Sequence, residues 1–101
     1  MQERRTAERV RLNLNARWEG LRTQGRGAVS DLSSTGCFVL SGGQVTNGEL
    51  IRLQIDFPAE IGTVWGQVVY SVAEIGFALR FGFENQDDKR MLARLIDSLN
   101  Q

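Results

Sequence analysis

Two short polar constellations carry the residue types that could do chemistry in this 101-residue chain. The first, Arg4-Arg5-Thr6-Ala7-Glu8-Arg9, contains Arg5-x-x-x-Arg9 just ahead of the first alternating apolar stretch. The second, Asp31-Leu32-Ser33-Ser34-Thr35-Gly36, reads Asp31-x-Ser33-x-x-Gly36 and falls where a second strand is expected to end. Both are read as loop clusters, free of the packing duty that binds strand positions. An arginine fork donates two parallel bonds to guanine O6 and N7, neutralises phosphate and stacks on base faces. A carboxylate such as Asp31 accepts from the N–H groups on guanine's other edge, and the Ser33 hydroxyl suits a base or a phosphate. Gly36 lets backbone come close with no side chain between. The parts describe a guanine nucleotide held between an arginine arm and a rim. For the second cluster taken alone, the structural alternative is an Asx-turn at Asp31 with Gly36 at positive φ.

Other chemistries are missing their residues. There is no histidine, so a His-based triad, a His metal site and the usual neutral-pH acid/base are all excluded. One cysteine, Cys37, cannot form an internal disulfide and fits a reducing compartment. No phosphate-loop motif and no metal-ligand cluster appears, so neither a catalytic residue nor a metal is expected. The zero net charge hides a segregation. Residues 1–26 hold seven arginines against three glutamates, a net +4, and residues 27–101 hold five basic and nine acidic groups, a net −4. Eleven of the twelve basic residues are arginine, which favours planar, forked recognition over simple charge.

The elements that must position these clusters read as one domain. Val10, Leu12, Leu14, Ala16 and Trp18 alternate with polar residues, as do Ile51, Leu53, Ile55 and Phe57, and each set marks a half-buried strand. Gly27–Leu32, Cys37–Leu40, Thr63–Val72 and Ile75–Phe81 supply four more, the last two as a hairpin turning at Ala73-Glu74. Residues 22–25 are read as turn. The period then lengthens: Met91, Leu92, Leu95, Ile96 and Leu99 share one helical face, with Asn85 as N-cap and Asp88 completing a capping box. Six strands and one terminal helix predict an all-β fold, a six-stranded antiparallel β-barrel with a C-terminal α-helix over one end or face. Residues 1–9 form a flexible arginine arm, 10–84 the barrel and 85–101 the helix. The longest apolar runs are too short to span a bilayer, and no leader follows Met1, so a cytoplasmic location is expected.

Arg5-x-x-x-Arg9 followed by Asp31-x-Ser33-x-x-Gly36 resembles the PilZ domain family, bacterial receptors for the second messenger cyclic di-GMP. The resemblance runs on through Val64-Trp65-Gly66-Gln67-Val68, Ile75-Gly76-Phe77-Ala78-Leu79-Arg80-Phe81 and the terminal helix. It implies the same barrel and a bound cyclic di-GMP, with no other cofactor. It implies that Arg5 and Arg9 hold guanine and phosphate, that Asp31 and Ser33 contact a guanine edge, and that Gly36 shapes the loop. Arg4 matches a frequent doubled arginine that influences how many ligand molecules bind. Arg80 is expected to face out of the barrel and is a further candidate for the ligand face.

The expected function is therefore that of a cyclic di-GMP receptor and adaptor, not an enzyme, acting through a separate effector protein. Two alternatives stand beside it. A PilZ-like interaction module would keep the barrel and not bind the nucleotide. A single-stranded nucleic-acid-binding barrel would need aromatic and basic residues interleaved on one sheet face, and a net acidic body argues against it. Trp18 and Trp65 are read as core or rim packing, and Cys37 as a small buried hydrophobe.

Overall fold

The computed structural model describes residues 9–82 and 86–99. The chain runs through β1 (Val10–Glu19), β2 (Gln24–Leu32), β3 (Gly36–Leu40), β4 (Leu50–Asp56), β5 (Ile61–Val72), β6 (Gly76–Gly82) and α1 (Gln86–Ser98). The strands close into a barrel in the order β1-β2-β3-β6-β5-β4, each neighbour antiparallel, with β4 returning to β1. Closure pairs every strand on both sides, which removes the edges that a flat sheet would expose. The expected all-β barrel with a C-terminal helix is the fold observed.

Alternation dictates what lies inside. Ile51, Leu53 and Ile55 of β4 are fully buried, and Val29, Leu32, Val39 and Phe77 join them. Trp18 meets Phe77 edge to face at 5.3 Å, and its indole N–H donates to the Ser41 hydroxyl at 3.0 Å. A buried aromatic of this kind contributes about 3–5 kcal/mol against alanine. Trp18 also explains a boundary. The segment read as turn, residues 22–25, already belongs in part to β2, whose Gly25 pairs with Trp18. A Cβ on Gly25 would lie 2.9 Å from the indole, so a glycine is what lets the strand start there. The β1–β2 turn is confined to Gly20–Thr23, closed by the Gly20 N–H on the Thr23 carbonyl at 2.7 Å.

The β5–β6 hairpin turns where the dipeptide Ala73-Glu74 predicts, with Glu74 at a φ of 66°. Helix α1 buries Leu92, Leu95 and Ile96 and docks at the start of β5. A Cβ on Gly62 would sit 2.8 Å from Phe57 and 3.0 Å from Leu95, so this glycine admits the helix. Asp87 and Asp88 occupy the first turn and oppose the helix dipole favourably. The N-cap expected at Asn85 lies outside the described residues, as do Arg4, Arg5 and the arm up to residue 8.

Candidate site on the barrel rim

Asp31 is not on a loop, as the sequence suggested, but is the penultimate residue of β2. Its direction is set by a bulge. Opposite β3, Val29 pairs with Val39 and Asp31 with Phe38, so Ser30 is an extra residue that breaks strict alternation. Val29 and Leu32 both point inward and are fully buried, and the bulge turns Asp31 out between them. On its other side Asp31 faces Arg11 of β1. The Arg9 guanidinium donates to the Asp31 carboxylate at 2.5 Å, with the two side chains 54% and 34% exposed. Arg9 thus reaches the rim from the residue just before β1. The ion pair is a charge-assisted bond, yet at this exposure it adds little to stability.

Two residues on, the environment inverts. Ser33 is 1% exposed. Its backbone N–H donates to the Gly36 carbonyl at 2.9 Å, and its hydroxyl accepts from the N–H groups of Thr35 and Gly36 at 3.2 and 3.3 Å. The hydroxyl proton points to the Gly36 carbonyl at 3.3 Å or the Thr35 hydroxyl at 3.1 Å. Both lone pairs and the proton are therefore spent inside the turn. The turn-building residue is Ser33, where the sequence offered Asp31. Gly36 is needed for close approach and not for a positive φ: a Cβ there would lie 2.3 Å from the Leu79 carbonyl oxygen. The Thr35 carbonyl accepts from the Phe81 N–H at 2.9 Å, which locks the loop onto β6.

Beside this turn lies an open groove of about 790 Å³. Arg9, Thr35, Gly36, Arg80, Lys89 and Tyr70 are among its walls, and among the described residues no acidic side chain lines it. Arg80 faces out from β6, directly opposite Gly36 and Gln67. Lys89, the single lysine, comes from the start of α1. Tyr70 is half exposed and stands 6.3 Å from Phe38 across the Ala78 position. It too is aimed by a bulge, because Val68 pairs with Leu79 and Tyr70 with Ala78, leaving Val69 as the extra residue. Neither Lys89 nor Tyr70 was singled out by sequence reasoning. Cys37 lies under the groove, and burial with the nearby Asp31 charge pushes its thiol pKa well up. Of the candidate residues, the structure brings together Arg9, Asp31, Gly36 and Arg80 at the rim, and Ser33 beneath them.

Comparison with solved structures places the barrel among known ones. The PilZ domain of CeSA from a cellulose-synthesising bacterium matches with a TM-score of 0.78 at 13% identity, over 93% of this chain and 99% of that one. The PilZ domain of YcgR from Escherichia coli, solved with c-di-GMP, matches at 0.79 and 17%, over 97% and 92%. The Bacillus subtilis inhibitor of motility MotI matches at 0.73 and 20%, over 99% of this chain but 53% of that one. This chain therefore spans about half the length of MotI. Among curated proteins, no match is found. The family model described as "PilZ domain" matches residues 3–98, and the chain belongs to the PilZ domain family.

Proposed function

We propose that this chain is a receptor for cyclic di-GMP that acts on a separate effector protein and catalyses no reaction itself. The observation that carries this reading is the Arg9–Asp31 pair at the mouth of a groove that, among the described residues, is walled by three cations and no acid. Two phosphates match that charge. Arg9, joined by Arg4 and Arg5 from the preceding segment, grips phosphate and the guanine O6/N7 edge. Asp31 accepts from guanine's N–H groups once Arg9 shares its carboxylate with the ligand. Arg80 and Lys89 neutralise phosphate across the groove, and Tyr70 offers a face for base stacking. Gly36 keeps the β3 wall flush, and Ser33 acts through the turn that holds it there. The family supports this assignment, and the solved YcgR domain carries c-di-GMP. An effector that prefers the filled groove gains affinity by the same factor that it lends to the ligand.

Isothermal titration tests the reading. Cyclic di-GMP is expected to bind saturably, and cyclic di-AMP at least about tenfold more weakly, because adenine puts a donor where guanine O6 accepts. Equal affinities would mean that only phosphate is read. Binding of neither would assign the barrel to the non-binding, interaction-only class.

A further inference from the structure

The opposite wall of the barrel carries a second cluster of arginines that the rim site does not use. Across β4, β1 and β2 two outward rows run Gln54–Arg17–Arg26 and Arg52–Glu19–Gln24. Arg17 and Arg26 are direct cross-strand partners, and like charges placed so are destabilising unless something neutralises them. Their own acids do so poorly. Arg17 stands 3.8 Å from Asp56 and Arg52 stands 3.7 Å from Glu19, both beyond hydrogen-bond range. The Asp56 oxygen nearest Arg17 is itself buried with no hydrogen bond. Arg26 has no carboxylate partner among the described residues. These guanidiniums border a hollow of about 390 Å³, with Gln24 and Gln54 adding neutral amide groups. A smaller hollow of about 300 Å³ lies on the far side of the Arg17–Arg26 ridge.

We infer that this β4–β1–β2 face is a docking surface for a carboxylate-bearing segment of another protein. The ligand chemistry follows from the charge. One carboxylate between the Arg17 and Arg26 forks makes bidentate, charge-assisted bonds and removes the repulsion. Glu19 and Asp56, set among the arginines, reject a continuous polyanion such as nucleic acid, whose phosphates offer no gap for them. A polypeptide can place a neutral or basic side chain opposite those acids. Strand addition is closed to the partner at this cluster, since Arg17 and Glu19 of β1 are paired with both β2 and β4. In barrel order this face lies across from β3, β6 and β5, so it does not compete with the groove for space. The inference does not depend on the identity of the rim ligand.

The test follows the arginine side-chain N–H signals of the full chain by ¹H–¹⁵N NMR. Three probes are titrated: a short blocked glycine–serine peptide with two adjacent glutamates, its glutamine counterpart, and single-stranded oligothymidylate. The glutamate peptide is expected to shift Arg17 and Arg26 saturably, and the glutamine peptide to leave them still. Arg26→Gln should weaken the peptide about tenfold, the loss of one charge-assisted bond. Its thermal midpoint should hold or rise by about 1–3 °C as the repulsion is relieved. Arg9→Ala should change nothing here. Unmoved Arg17 and Arg26 signals would overturn the inference. Tighter binding of oligothymidylate at the same signals, or a fall in the Arg26→Gln midpoint, would overturn it too.

Discussion

Asp31, next to last in its strand, turns its carboxylate out onto Arg9, a third of it in water, while Ser33, two residues later, is sealed under the loop with its hydroxyl fully used. The two belong to one short motif, Asp31-x-Ser33-x-x-Gly36, yet they answer to different forces. At Asp31 the local free energy is exposed electrostatics, weak for folding and open to an incoming charge. At Ser33 and Gly36 it is buried hydrogen bonding and backbone contact, strong for folding and silent toward solvent. A motif read as a set of ligand contacts is, in space, an exposed carboxylate beside a buried brace. Substitutions along it should therefore separate cleanly into losses of binding and losses of fold.

The largest effect is expected at the brace. Gly36→Val forces a Cβ against the Leu79 carbonyl, parts β3 from β6 and costs about 3 kcal/mol or more, so thermal melts should show a collapse or a midpoint lower by ~12 °C or more. A stable Gly36→Val protein would break the distinction. Ser33→Ala comes next. It leaves the Thr35 and Gly36 N–H groups without their acceptor, at a cost of about 1–3 kcal/mol, and the midpoint should fall by several degrees. Once folded, that variant should still bind cyclic di-GMP; an unchanged midpoint with binding abolished would move Ser33 to the ligand side of the comparison.

Arg9→Ala reverses the pattern. Its ion pair with Asp31 is too exposed to hold the barrel, so the midpoint should stay within a few degrees while titration shows at least about tenfold weaker binding, ~1.4 kcal/mol. Intact binding would place the ligand elsewhere. The smallest effect concerns Cys37 beneath the groove. Burial raises its pKa above the ordinary 9.0, so as pH climbs the unfolded thiol ionises first and the folded one keeps its proton. The native state then binds more protons, and stability falls above about pH 9 while nothing changes below it. Between about pH 8 and pH 10 the wild-type protein should lose about 1 kcal/mol more than Cys37→Ala, measured by urea unfolding. Matching losses would show a thiol that already meets solvent.

Much of this was legible in the sequence because period two survives any context. Ile51, Leu53 and Ile55 alternate in the chain and are buried in the barrel. The change to helical period at Met91–Leu99 likewise marks α1. The rim was legible only as residue types. Whether Asp31 faces in or out depends on an extra residue, Ser30, counted against β3, and a bulge is a relation between strands that one strand cannot display. Ser33 offered a hydroxyl, but its burial follows from the loop's tie to Phe81. Lys89 and Tyr70 reach the groove because the barrel closes and α1 docks, neither of which leaves a local mark. Gly25 reads as a turn residue in the chain, and only the packed indole of Trp18 shows why it belongs in a strand.

The bulge at Val69 has a consequence for how this chain can change length. A β-strand is a binary counter: removing one residue from a regular stretch exchanges inside and outside for all that follows. Val69 is the position where β5 has already slipped by one count against β6. Deleting that single codon restores strict alternation, with Val68 inside and Tyr70 still outside, opposite Ala78. Val68 and Val69 are the same residue, so loss of either codon yields one and the same chain, with a valine still in the buried place. Along the groove-bearing half of β5, Val69 is thus where an in-frame deletion trims the gene and leaves the aromatic wall in place.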